Sequence, residues 1–115
     1  MKLAIVGSRT FNDFSKLETF IKSKIDISKI TTIISGGARG ADTLAEQFAG
    51  KYGIDLKVFH AAWDTFGKRA GYIRNKDIVD NCDVLIAFWD DISKGTKHSI
   101  DLADESNKEH YVCYF

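Results

Sequence analysis

Short runs of wholly apolar residues alternate along this 115-residue chain with stretches whose apolar residues recur at helical spacing. Leu3–Val6 is one such run, closed by Gly7, and suits a strand buried on both faces. From Asn12 to Ile25, Phe14, Leu17, Ile21 and Ile25 fall on one helical stripe, with Asn12 or Asp13 as cap. Thr31–Ile34 is β-branched throughout and stops at Gly36-Gly37, which gives a second strand. Ala41–Tyr52 is a second helix, with Gly53 as its stop. Leu56, Val58 and His60 alternate with Lys57 and Phe59 as an edge strand, and Lys68–Asn81 reads as a third, less periodic helix. Val84–Phe88 is again fully apolar, Thr96–Ser106 follows as a helix, and Tyr111–Phe115 is the last strand.

Strands that alternate with helices through short connections pair in parallel, with right-handed crossovers that cover both faces. The expectation is therefore an α/β, Rossmann-like three-layer domain over residues 1–115. Its five-stranded parallel sheet takes the order 3-2-1-4-5, with the two wetter strands at the edges. Ligands of such sheets bind beyond the carboxyl ends of the strands, where the order reverses. That directs attention to the loops Gly7–Phe11, Gly36–Asp42, His60–Gly67 and Trp89–Thr96.

Proline is absent, so tight turns fall to the nine glycines, and glycine positions carry information. In the first loop Gly7 lets the chain turn, and Ser8 and Arg9 present a hydroxyl and a fork of N–H donors suited to phosphate or carboxylate oxygens. The second loop, Ser35-Gly36-Gly37-Ala38-Arg39-Gly40-Ala41-Asp42, runs straight from a buried strand into a helix. Amides at a helix start lack internal partners and carry partial positive charge, which a bound phosphate satisfies. Arg39 adds a matched charge, and Asp42 either caps the amides or accepts from ribose hydroxyls. The loop is neither a Walker A motif nor GxGxxG. In the third region Trp63 either stacks on a base or covers the sheet, and Arg74 and Asn75 either reach a ligand or hold a neighbouring loop. The fourth loop offers Gly95 and Thr96 as a second amide cluster, with Ser93 as alternative cap, and Asp90 and Asp91 either bind ribose hydroxyls or a hydrated divalent ion or form a solvated turn.

Charge and composition narrow the classes further. Sixteen basic residues balance sixteen acidic ones, whereas a duplex-DNA module of this size carries a basic excess. A local cluster, Lys68, Arg69, Arg74 and Lys76, is the feature that speaks for a nucleic acid, and it makes such a partner the weaker expectation. No apolar run approaches the ~18 residues of a membrane span. Four apolar residues in the opening MKLAIVGSRTF are too few for a signal-peptide core. Cys82 and Cys113 have no zinc or CxxC spacing, which fits reduced thiols in a cytoplasmic protein, and no His or Cys constellation points to a metal.

GSRTF, SGGARGAD, AGYIRN and LIAFWDDISKGT, in this order, resemble the YspA or cpYpsA-related family of the SLOG superfamily, which also holds the LOG enzymes and the DNA-processing protein DprA. The resemblance spans essentially the whole chain. It implies a Rossmann-like domain that binds a nucleotide or nucleotide-derived ligand, as a sensor or substrate-holding module, and a homo-oligomer. By the same resemblance the binding residues are Gly7, Ser8, Arg9, Gly36, Gly37, Arg39, Gly40, Asp42, Arg74, Asn75, Gly95 and Thr96. LOG enzymes continue their loop as GGxGTxxE with a catalytic glutamate, whereas Leu44 stands at about that place here. No catalytic residue is therefore carried over, and the enzymatic alternative is a nucleotide-processing hydrolase or transferase using Asp42, Asp64 or Asp90. Among ligands, a pyrophosphate compound such as ADP-ribose or NAD makes fullest use of the three arginines.

Overall fold

The computed structural model describes residues 1–115. Its strands are β1 (Lys2–Gly7), β2 (Thr32–Ser35), β3 (Asp55–Val58), β4 (Val84–Trp89) and β5 (Glu109–Tyr114). Between them lie α1 (Phe14–Lys24), α2 (Ala41–Tyr52), the single turn α3 (Trp63–Phe66), α4 (Ala70–Asn81) and α5 (Lys94–Glu105). All neighbouring strands are parallel, and the order is β3-β2-β1-β4-β5, as the alternation of periods implies. Leu3 at the start of β1 pairs with Ile33 on one side and Val84 on the other.

The three central strands separate two apolar layers. On one face Leu3, Ile5, Ile33 and Phe88 pack with Leu17 and Ile21 of α1 and Phe48 of α2. On the other, Ala4, Val6, Leu85 and Ala87 pack with Ile78 and Val79 of α4 and Ala103 of α5. Cys113 belongs to the first layer and Cys82 to the second, and both are free thiols. Burial raises the pKa of each above its ordinary value, so neither is a ready nucleophile. No helix is long and apolar enough to cross a membrane.

The helix ends follow local chemistry. Asp13 caps α1 by accepting the Lys16 amide at 3.0 Å, and Gly53 closes α2 in the left-handed region. Several boundaries differ from expectation, among them the last strand, which runs from Glu109 to Tyr114 and not from Tyr111 to Phe115. The third strand ends at Val58, and His60 lies exposed beyond it. The expected third helix starting at Lys68 starts instead at Ala70, preceded by α3 and a 3-10 turn over Gly67–Arg69. Gly67, at φ +58° and ψ −134°, breaks what would otherwise be continuous helix, and its conformation is one that only glycine adopts freely. The last helix begins at Lys94, so Gly95 and Thr96 lie in its first turn rather than at its cap.

Gly40 holds the sheet edge together. Its φ is +73°, and a Cβ there would lie 2.4 Å from the Ser8 carbonyl oxygen and 2.5 Å from that of Arg9. The start of α2 therefore rests directly on the backbone of the loop after β1. The Ala41 amide donates to the Ser8 carbonyl at 3.3 Å in the same contact. Replacing Gly40 by Ala should lower stability by about 2–4 kcal/mol through overpacking and backbone strain. Gly50→Ala in the same helix, where a Cβ meets open space, should raise it by about 0.5–1 kcal/mol. Urea unfolding of the two variants checks both signs.

Candidate functional site

A cleft of about 380 Å³ opens at the carboxyl ends of β1, β2 and β4, and an adjoining one of about 390 Å³ lies toward β3. Gly7, Ser8, Arg9, Gly36, Asp42, Arg74, Asn75, Asp90, Gly95 and Thr96 line the first. Gly37, Arg39 and Trp63 line the second, which also shares Arg9, Gly36 and Arg74. Gly40 lines neither and sits beneath them as a packing contact. Residues from four loops far apart in sequence thus come together at the sheet edge.

Arg74 is the strut of this arrangement. From α4 its Nη1 donates to the Gly36 carbonyl at 2.6 Å, and its Nε donates to Asn75 Oδ1 at 3.1 Å. A Cβ at Gly36 would lie 2.7 Å from Arg74 Nη1 and 3.0 Å from an Asp42 carboxylate oxygen, so a side chain there would displace the guanidinium from the carbonyl. Asn75 is buried and passes the connection on. Its side-chain amide donates to the Gly95 carbonyl at 3.2 Å and lies 3.3 Å from His98 Nδ1. With Asn75 as donor, His98 Nδ1 is the acceptor and the ring is neutral. Burial depresses the His98 pKa, against the opposing pull of Asp101 and Glu105, consistent with that form. Arg74 and Asn75 therefore brace the loop after β2 and the start of α5.

The glycine-rich loop is partly satisfied from within. Asp42 accepts the Ala38 amide at 3.0 Å, and Ser35 Oγ accepts the Gly37 amide at 3.3 Å. Of the two roles open to Asp42 in the sequence, one carboxylate oxygen takes that of internal cap, and the residue also lines the first cleft. Its carboxyl is buried, and burial raises its pKa above the ordinary value despite the Ala38 amide and the Arg74 charge. Asp90 behaves oppositely. It accepts the Ser93 amide at 2.8 Å and the Ile92 amide at 3.0 Å, and these bonds hold its pKa below the ordinary range. One of its oxygens thus shapes the turn before α5.

The α5 terminus is left more open. Ser93 makes no amide cap, because its hydroxyl pairs with that of Thr96 at 3.1 Å. Nothing lies within 4 Å of a Cβ placed on Gly95, so backbone is accessible there. Ser93, Ser99 and Thr10 also line the first cleft, and His60 and Ala61 line the second. Sequence reasoning missed Ser99, whose signal is a small polar residue one turn after Thr96 on the buried face of α5, whereas His60 opened the third of the loops singled out.

The cationic groups outnumber their internal partners. The ion pairs of the molecule are Lys51–Glu18, Lys76–Asp80 and Lys97–Asp101, none of which involves an arginine. Arg9 and Arg39 are exposed at the cleft mouths, and Arg74 is held below its ordinary pKa by burial, against the opposing Asp42 charge and with a smaller push from Arg9. Such an arrangement can accept an anion between the guanidinium groups. The basic cluster of the sequence is dispersed by the same fold: Arg74 turns into the cleft, Lys76 pairs with Asp80, and Lys68 and Arg69 sit on the turn before α4. Trp89, a second aromatic at this edge, donates its indole N–H to the Ser93 carbonyl at 3.0 Å and packs on Tyr114 rather than lining either cleft. No group of three or more His, Cys, Asp or Glu side chains is placed to hold a metal ion.

The model of the YspA, cpYpsA-related SLOG family matches residues 1–66, which include the two loops after β1 and β2. Over 104 residues the chain is 31% identical to the Gene 61 protein of Mycobacterium phage D29, covering 84% of this chain and 83% of that protein. No solved structure matches significantly.

The Asp42 environment makes a testable statement about pH. Since the folded-state pKa lies above the ordinary carboxylate value of about 3.9, the fold favours the protonated form. That contribution is complete below about pH 4 and is lost as pH rises through the raised value. An Asp42→Asn variant keeps an oxygen for the Ala38 amide and escapes this loss. Its melting temperature relative to the wild type should climb between about pH 4 and pH 7. A difference independent of pH would show that the carboxyl is not perturbed.

Proposed function

The chain belongs to the YspA, cpYpsA-related SLOG family, and from that premise we propose that it binds a phosphate-bearing nucleotide or nucleotide-derived ligand at the carboxyl edge of its sheet. The observation that carries this reading is the convergence of Arg9, Arg39 and Arg74 on the loop at Gly36–Ala38 without an ion pair to any carboxylate. Guanidinium groups brought together repel one another, and a phosphate between them lowers that cost. The open first turn of α5 supplies amides for the same anion. Thr10, Ser93 and Thr96 offer hydroxyls to a sugar. The domain acts in this reading as a sensor or as a module that holds its ligand for another protein.

One observation favours a catalytic version, a nucleotide-processing hydrolase or transferase. Asp42 lines the cleft with a buried carboxyl whose pKa is raised, the condition a general acid needs near neutral pH. Asp64 lacks that environment, being exposed on α3. Product formation from a nucleotide panel, lost in Asp42→Asn, separates catalysis from binding.

The binding reading is tested by thermal shift of the protein with AMP, ADP, NAD, ADP-ribose and cyclic dinucleotides. A ligand at 100 times its dissociation constant stabilises by about 2.7 kcal/mol. For a domain of this size that is a rise on the order of 10 °C. Arg9→Ala should abolish the shift while leaving the unliganded stability within about 0.5 kcal/mol, since the exposed guanidinium braces nothing. Silence across the panel overturns the proposal.

A further inference from the structure

The two adjoining clefts are nearly equal in size, and each falls within the ~300–1,000 Å³ of small-molecule sites. Arg9, Gly36, Ala38 and Arg74 line both, so the clefts meet at a pair of guanidinium groups. Beyond that junction their chemistry differs. The first holds the Asp42 and Asp90 carboxyl groups among the hydroxyls of Ser8, Ser93 and Thr96. The second holds Arg39, His60 and Trp63 and no carboxylate.

Carboxylates repel phosphate but accept from sugar hydroxyls, so the first cleft favours a polyhydroxylated group. An arginine beside a half-exposed indole favours a flat π-system. Trp63 is 50% exposed, and its ring edge lies over Gly71, where a Cβ would come 3.2 Å from Cη2. The exposed His60 ring lies over Gly37, where a Cβ would come within 2.9 Å of it. Two rings thus lie at the mouth of a cationic cleft, outside both apolar layers of the core.

We infer that the second cleft is a base subsite, and that the ligand is two-ended and bridged by pyrophosphate, as in a nucleoside diphosphate sugar. This rests on the phosphate-binding reading given above. The bridge lies between Arg9 and Arg74, the distal sugar meets Asp42 and Asp90 in the first cleft, and the base stacks on Trp63 beside Arg39. A mononucleotide fills one cleft and leaves the other to water.

Calorimetric titration of the whole protein with AMP, ribose 5-phosphate and ADP-ribose tests the inference. ADP-ribose should bind at least about tenfold more tightly than AMP. Trp63→Ala should weaken ADP-ribose binding by about tenfold, the usual effect of losing one base–aromatic stack, and leave ribose 5-phosphate unchanged. Arg39→Ala, which removes one of the three converging guanidinium groups as well as the neighbour of the base, should weaken both ADP-ribose and ribose 5-phosphate. Equal affinity for AMP and ADP-ribose, or indifference of ADP-ribose to both variants, overturns the two-ended ligand while the phosphate site stands. No binding by any of the three overturns the phosphate site as well.

Discussion

A partly buried guanidinium joins three separate parts of the sheet edge. Arg74 reaches from α4 to the Gly36 carbonyl after β2, and through Asn75 to the Gly95 carbonyl at the start of α5. Arginine remains charged at any physiological pH, so this strut fixes a positive charge beside the glycine-rich loop whether or not a ligand is present. Asp42, the nearest acid, forms no ion pair with it and turns an oxygen to the Ala38 amide. The loop geometry and the local field thus have one origin. Removing the side chain would slacken the loops and discharge the site together, which is why Arg9, free of such bonds, is the cleaner probe of binding.

Gly40 and Gly36 set the second constraint, which is steric. Backbone-to-backbone contact at Gly40 brings the loops after β1 and β2 closer than a Cβ permits, and at Gly36 the Arg74 guanidinium of α4 approaches the backbone closely. The glycine-rich segment therefore does two things in different places. Gly40 is packing, whereas Gly36 and Gly37 face the clefts. A loop built only to wrap an anion would leave its amides free. Here Asp42 and Ser35 already occupy two of them, so side-chain cations and the first turn of α5 carry the larger part of the attraction in the proposed site.

The strand order was readable because each buried strand is a continuous apolar run and each long helix keeps its stripe. Leu3–Val6, Ile33–Ile34 and Val84–Phe88 are all buried, as are Leu44, Ala45 and Phe48. What escaped is local and short. The turn at Trp63–Phe66 has no periodicity to betray it, and its end is set by the conformation of Gly67. The loops that form the clefts were legible from topology, but the division of labour within them was not. Whether Asn75 meets a ligand or a carbonyl depends on which backbone oxygen lies 3.2 Å away, and that distance is a product of the tertiary structure.

Zero net charge describes the whole surface, whereas a ligand meets the field at one edge. Lys76 and Lys97 are neutralised locally by acids four residues on, and Lys51 by Glu18. The arginines at the carboxyl edge have no such neighbours. The chain thus gathers three guanidinium groups without ion pairs at two adjoining clefts, while its other unpaired cations are spread over the rest of the surface. In the clefts the effective dielectric is lower than at an open surface, and the same charges act more strongly on a small anion. An extended nucleic acid needs the opposite distribution, a continuous cationic track matched to many phosphates. The placement of the arginines, rather than their number, is therefore what favours a small ligand in a chain of balanced composition.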